Sequence, residues 1–247
     1  MTQAPTLSVV IPCFNEEYRL ALSVNKICQF LSTKPFESEL VFVNDGSRDR
    51  TLALIEELRE NARQFPMIHF STYTWDSNRG KGAAVREGLL RAAGEFCLIC
   101  DADLSTPIED IDRLLPYKDS FDIVIGSRRV PGAEILTWQP WYRVVMGKCF
   151  SLLSSALLSV PVHDFTCGFK LIRGEAAQRL AARMNMDRWG YDSELLKIAV
   201  VQNFKIKEVG VRWAHDGGSK VRLGLDIFRS AAELGRIWRN GVCGNYR

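Results

Sequence analysis

Short apolar runs that end on polar turns alternate along the first half of the chain with stretches in which apolar residues recur every three or four positions. Residues 7–11 form one such run, stopped by Pro12. After the polar turn Asn15-Glu16-Glu17, a helix is predicted over about 18–31 from the spacing of Leu20, Val24, Ile27 and Leu31. Residues 39–43 read as a second buried strand with Asn44-Asp45-Gly46-Ser47 as its exit turn, and a helix follows over about 49–62. A third strand is predicted over 66–70. A further helix over 83–90 follows, with Arg79, Gly80, Lys81 and Gly82 around its first turn. Strand and helix at this pace predict an α/β fold with a mostly parallel sheet and right-handed crossovers.

The run Phe96-Cys97-Leu98-Ile99-Cys100 has no polar face and ends on Asp101-Ala102-Asp103, which reads as a buried strand with two carboxylates at its exit. Carboxyl ends of strands are where open α/β sheets bind ligands, and two aspartates one residue apart can reach one hard cation from a turn. The same pattern also describes a solvated acidic turn. A helix headed by Glu109 and Asp110 reaches about residue 115, and a short strand over 122–125 ends in Gly126-Ser127-Arg128-Arg129. Those guanidinium groups can face a diphosphate held beside Asp101 and Asp103, or form a basic turn in water.

From 130 to 162 the character changes. Trp138, Trp141 and Tyr142 stand beside Arg143 and Lys148, and the mostly apolar stretch 144–162 is too polar for a membrane span, so it reads as a buried or surface-lying helix. Beyond Pro161, residues 163–172 read as a turn entering a strand. Helices are predicted over 174–184 and 192–201, with an edge strand over 206–213. Gly217-Gly218-Ser219-Lys220-Val221-Arg222 is a second glycine-and-basic cluster, and a last amphipathic helix spans about 225–238. No repeat or composition break divides the chain.

The 247 residues are enough for one large α/β domain, and 32 basic against 29 acidic residues leave a net charge of only +3, which argues against a nucleic-acid partner. Seven cysteines without a Cys-x-x-Cys pair fit reduced thiols in a cytosolic setting, and no secretory leader is expected. The turn around Lys81 lacks the Ser or Thr of a nucleoside-triphosphate loop, and no Gly-x-Gly-x-x-Gly follows the first strand, which argues against a dinucleotide-binding dehydrogenase. An anion can use free N–H groups there with Lys81 or Arg79.

Taken together, residues 9–17, Asn44-Asp45-Gly46-Ser47, Asn78-Arg79-Gly80-Lys81-Gly82, Asp101-Ala102-Asp103, Gly126-Ser127-Arg128, residues 164–170 and Gly218-Ser219-Lys220-Val221-Arg222 resemble the inverting nucleotide-sugar glycosyltransferases of family 2 with the GT-A fold. Within that family the likeness is greatest to the polyprenyl-phosphate branch and its glucosyl members. The resemblance implies a single catalytic domain over 1–247, with a nucleotide-sugar-binding half at 7–129, an acceptor-binding half at 130–222 and a C-terminal helix at 223–247.

It also implies that Pro12, Asn15 and Glu17 line the nucleotide pocket, that Asp45 holds the base, and that Lys81 belongs to the donor site. Asp101 would lie by the ribose and diphosphate, and Asp103 would hold Mg2+ or Mn2+. Ser105 stands where mannosyl relatives carry a glutamine metal ligand and is a shorter one. Arg128 and Arg143 would meet acceptor phosphate or donor diphosphate, and Lys220 and Arg222 would close over the diphosphate. The implied reaction moves glucose from UDP-glucose to dolichyl or another polyprenyl phosphate with inversion. GDP-mannose, another nucleotide sugar or a hydroxyl-bearing saccharide acceptor remain as alternatives. A hydroxyl acceptor would need Asp192 or Glu194 as a base, whereas a phosphate acceptor leaves them to orient sugar hydroxyls or basic residues. The implied place is the cytosolic face of a membrane, met peripherally through residues 138–158 and the terminal helix.

Overall fold

A computed structural model of the chain describes residues 5–216 and 225–246. The apolar runs pair side by side. In chain order the strands are β1 (Leu7–Cys13), β2 (Ser38–Asn44), β3 (Ile68–Thr74), β4 (Phe96–Ile99), β5 (Ile123–Ser127), β6 (Glu134–Thr137), β7 (Lys170–Arg173), β8 (Ile206–Gly210) and β9 (Arg212–Ala214). The helices are α1 (Leu20–Leu31), α2 (Thr51–Asn61), α3 (Lys81–Arg91), the single turn α4 (Ile111–Leu114), α5 (Trp141–Leu158), α6 (Gly174–Ala181), α7 (Tyr191–Val201) and α8 (Leu225–Val242). A seven-stranded sheet runs β3-β2-β1-β4-β7-β5-β8, with β6 and β9 as a separate parallel pair. Among the described strands only β7 is antiparallel to its neighbours, and β8 takes the edge expected of it.

The strands lack a polar face because both faces of the sheet are covered. Along β1, Val10 joins Val41, Val85 and Leu89 on the α3 side, while Val9 and Ile11 join Leu20, Ile27 and Phe42 on the α1 side. Burying a Leu, Ile or Val in this way contributes about 1.5–3 kcal/mol each, so the alternation of faces, more than any local propensity, fixes the register.

β3 lies at Ile68–Thr74, later than the 66–70 expected, and two other strand boundaries differ from expectation for a physical reason. Pro12 does not stop β1, which continues to Cys13. The Val10 carbonyl takes the Cys100 N–H, so alternate residues of β1 face β4, and the missing N–H of Pro12 points where β4 has already ended. The predicted single strand over 206–213 is divided at Val211 between β8 and β9. Buried Asp110 accepts from both the Arg212 N–H (2.6 Å) and its Nε (2.7 Å), turning the chain out of the large sheet.

The chain between 130 and 162 forms α5, which leaves Trp141, Leu152 and Leu153 exposed. Among the described residues no helix is long and apolar enough to cross a membrane. The carboxyl ends of β1, β2, β4 and β5 converge with α5, α7 and α8 around one cleft.

Gly88 marks how closely α3 lies on the sheet, since a Cβ there would stand 2.3 Å from Val10 Cγ1. Alanine gains about 1 kcal/mol of helix propensity but must displace a core side chain, at about 1–3 kcal/mol. Gly88→Ala is therefore expected to lower stability by about 1 kcal/mol in urea denaturation, opposite in sign to the same change on an exposed helix.

Candidate active site

The cleft at the carboxyl ends of the strands has a volume of about 1190 Å³. Pro12 and Asn15 from the end of β1, Asp45 from β2, Lys81 from α3, Asp101, Asp103 and Ser105 from the turn after β4, Arg128 from β5, Arg143 from α5 and Asp192 from α7 all line it. The structure thus gathers most of the residues nominated from the sequence. Glu17 and Glu194 stand outside the lining, and Lys220 and Arg222 lie outside the described residues.

β4 ends at Ile99, so Asp101 and Asp103 project from a turn and not from a regular strand. Leu104, between Asp103 and Ser105, has φ +49°, and its N–H bonds the Asp101 carbonyl at 3.1 Å. A non-glycine residue in this left-handed region costs of the order of 1 kcal/mol, which the surrounding turn holds. Asp101 pairs with Lys81 at 2.6 Å. It fits beside the backbone only because residue 168 is glycine: a Cβ there would lie 2.4 Å from Asp101 Oδ2. Asp103 accepts the Ser105 N–H at 2.8 Å. Burial, then the neighbouring charge of Asp101, push the Asp103 carboxyl above its ordinary range, although the Ser105 N–H and hydroxyl and Lys81 oppose the shift.

Such a pair suits a divalent cation, which would relieve both the burial cost and the mutual repulsion. Among the described residues there is no cluster of three or more His, Cys, Asp or Glu side chains able to hold a metal by itself. Two carboxylates with the remaining positions left to phosphate and water is how Mg2+ is usually held. Asp101 and Asp103 therefore fit the metal, while Ser105 is engaged in bonding Asp103.

Asp45 is a clamp. Its Oδ2 accepts from Asn78 Nδ2 (2.7 Å) and the Gly80 N–H (2.9 Å), and its Oδ1 accepts from the Arg79 N–H (2.6 Å), tying the exit of β2 to the start of α3. Burial raises its pKa in spite of those bonds. Asn15, at φ +53°, accepts the Arg48 N–H at 2.9 Å, and Glu17 accepts the Arg50 N–H at 3.1 Å.

Arg128 forms a fork with Asp164: Nε to Oδ2 and Nη2 to Oδ1, each 2.7 Å, with Nη2 also donating to Thr166 Oγ1 at 2.7 Å. Burial would raise the Asp164 pKa, but Arg128, with help from Arg129, overturns this and holds the carboxyl well below the usual range. Fully buried Lys170 pairs with Asp192 and donates to the Cys167 carbonyl at 2.6 Å. Burial is the main cause that raises the Asp192 pKa, against the pull of Lys170 and Lys81.

Asp192 and Glu194 share the first turn of α7 but not its face, because two residues advance about 200° around a helix. Glu194 points away from the cleft. Its Oε2 accepts the Asn185 and Met186 N–H groups, both at 2.8 Å, and its Oε1 accepts the Tyr246 hydroxyl at 2.8 Å. The cleft also contains Arg129, expected beside Arg128 to face a diphosphate, and Arg188, Trp189 and Trp213, which sequence reasoning did not nominate. Arg129 was visible as the neighbour of Arg128 at a strand end. Arg188 and Trp189 lie in a loop whose placement comes from distant partners: Ala83 N–H donates to the Asp187 carbonyl at 3.1 Å, and Glu233 accepts the Gly190 N–H at 2.8 Å.

The family model described as glycosyl transferase family 2 matches residues 8–181. The chain is 32% identical over 241 residues to a dolichyl-phosphate beta-glucosyltransferase of Dictyostelium discoideum, covering 93% of this chain and 72% of the relative. It is 32% identical over 227 residues to the Homo sapiens protein of that name, covering 87% and 69%. Among solved structures, glucosyl-3-phosphoglycerate synthase from Mycobacterium tuberculosis in complex with phosphoglyceric acid superposes with TM-score 0.68 at 20% identity, over 94% of this chain and 80% of that one. The same synthase with Mn2+, UDP-glucose and phosphoglyceric acid gives TM-score 0.66 at 20% identity, over 95% and 80%. The shared fold is the GT-A architecture that the sequence motifs imply.

The Arg128–Asp164 pair generates a test. A carboxyl whose folded pKa is depressed stabilises the protein above its unfolded pKa of about 4, and that contribution is lost as pH falls toward the folded value. Asp164→Asn is expected to cost about 3–5 kcal/mol at pH 7, since it leaves a buried guanidinium without its counter-charge. In urea denaturation across pH, the deficit should stay constant down to about pH 4 and narrow only below it.

Proposed function

Because the chain belongs to glycosyl transferase family 2, we propose that it transfers glucose from UDP-glucose to dolichyl phosphate or another polyprenyl phosphate, inverting the anomeric centre. The observation that carries this reading is the match over most of the chain to dolichyl-phosphate beta-glucosyltransferases, at 30–32% identity in Dictyostelium discoideum, Homo sapiens and Saccharomyces cerevisiae.

The cleft supplies what such a reaction needs. Donor diphosphate and acceptor phosphate are both anionic, and Lys81, Arg128, Arg129, Arg143 and Arg188 give a basic lining in which they can approach. Asp101 and Asp103 would hold Mg2+ or Mn2+, which stabilises charge on the departing nucleoside diphosphate. An acceptor phosphate has a second pKa near ~6 and is already a nucleophile at neutral pH, so no protein base is required. Asp192, held by Lys170, then serves to orient the donor sugar or the basic side chains.

α5 continues the cleft into an apolar surface. Arg143, Met146, Phe150 and Leu153 line the cleft side, while Trp138, Trp141 and Leu152 are exposed beyond it. A prenyl tail can follow these side chains from the phosphate subsite toward a bilayer, where exposed tryptophans sit well at the headgroup level. Peripheral contact with the cytosolic leaflet is part of this proposal.

The test is a matched assay with UDP-glucose, GDP-mannose and UDP-N-acetylglucosamine, each with and without a polyprenyl phosphate. Lipid-linked glucose is expected only with UDP-glucose, lipid phosphate and metal, and Asp103→Ala should abolish it. Donor turnover without the lipid would discard the acceptor.

A second measurement separates the acceptor classes. With a phosphate acceptor, activity should rise through about pH 6 as its second proton leaves, and Asp192→Asn should keep that limb. If Asp192→Asn removes the limb together with turnover, a hydroxyl acceptor with Asp192 as base is the better account.

A further inference from the structure

The Lys81–Asp101 ion pair occupies the carboxylate that the metal reading also requires. We infer that Lys81 is a lock on the carboxylate pair: it prevents Asp101 and Asp103 from capturing a divalent cation by themselves, so that cation and nucleoside diphosphate bind together. This rests on the proposal that one cleft holds both.

Asp101 has a close neighbour on each side. Lys81 Nζ stands 2.6 Å from Oδ1, and Oδ2 lies over Gly168, where a Cβ would stand only 2.4 Å away. A divalent cation using Asp101 and Asp103 would stand within a few ångströms of the Lys81 charge, where like charges repel strongly in a partly buried site.

Moving the side chain is the available route, and the structure provides for it. The backbone at Lys81 is fixed, with the Gly80 N–H on Asp45 Oδ2 at 2.9 Å and the Ala83 N–H on the Asp187 carbonyl at 3.1 Å. The ammonium is also 5.7 Å from the Trp189 ring centroid and 5.9 Å from that of Tyr191, so aromatic rings offer its charge a second partner besides Asp101. A diphosphate entering between Lys81 and the carboxylates draws the ammonium to its own oxygens. Asp101 is then released to face the cation that arrives with it. Lys81 would therefore make two contributions of opposite sign: it weakens the metal alone and strengthens the metal with diphosphate.

Titration of the full chain with Mn2+, followed by the loss of the free-ion electron paramagnetic resonance signal, tests this with and without UDP. The wild type is expected to bind Mn2+ weakly alone and at least about tenfold more tightly with UDP, and by reciprocity Mn2+ should tighten UDP by the same factor. Lys81→Gln should bind Mn2+ alone about tenfold more tightly than wild type and lose most of the UDP enhancement. Lys81→Arg, which keeps the charge, should follow the wild type. Circular dichroism confirms that each variant is folded before titration. A Lys81→Gln protein that binds Mn2+ alone no more tightly than wild type overturns the lock, as does a wild type whose Mn2+ affinity is indifferent to UDP while UDP itself binds. If UDP fails to bind in every variant, the donor assignment fails, and the Mn2+-only comparison of Lys81→Gln with wild type still decides the lock.

Discussion

Charge withdrawn from water governs this molecule. At the carboxyl ends of the strands, Asp101, Asp164 and Asp192 each face one cation, respectively Lys81, Arg128 and Lys170. Breaking one partner of a buried pair costs several kcal/mol, so each pair fixes the position of the element that carries it. Arg128 brings the end of β5 onto the turn at Asp164, and Lys170 brings the start of β7 onto α7. Asp103 differs: it is met by Ser105 and makes no ion pair among the described residues. The cleft is therefore a set of compensated charges around one carboxylate whose compensation is incomplete, which is the electrostatic condition for receiving a cation together with an anion.

Much of the fold was legible because the strands are buried on both faces, and a buried strand cannot hide its apolar run. The motifs at the strand ends were legible for the related reason that polar residues directly after such a run have few places to go except the rim of the sheet. The division of β8 from β9 was not, because it depends on Asp110, about a hundred positions away in sequence, taking hold of Arg212. Nor could residue spacing alone separate Asp192 from Glu194. Both are acidic, both are buried and both lie in one helical turn, yet one reaches the cleft while the other secures the loop at Asn185 and the hydroxyl of Tyr246.

That loop shows how the cleft depends on distant parts of the chain. Residues 185–190 carry Arg188 and Trp189 to the rim, and they are held by α3, by Glu194 of α7 and by Glu233 of α8. The wall contributed by α8 meets the first turn of α3 through this loop. Shape around the donor side of the cleft is thus set partly by helices from the other end of the chain.

The antiparallel strand β7 has a consequence for how the protein is made. It lies between β4 and β5, and among the described residues the only sheet neighbours of β5 are β7 and β8. During synthesis, β1 to β4 can pair as soon as they emerge, but the outer edge of β4 then stays open until about residue 173 has left the ribosome, and β5 waits with no strand beside it. The nascent chain therefore passes through a stage in which the apolar β4 edge is exposed, with the aspartate turn at its tip. Contacts of this long sequence separation form slowly, so a chaperone or slowed translation over the stretch between β5 and β7 would protect the chain most at that stage.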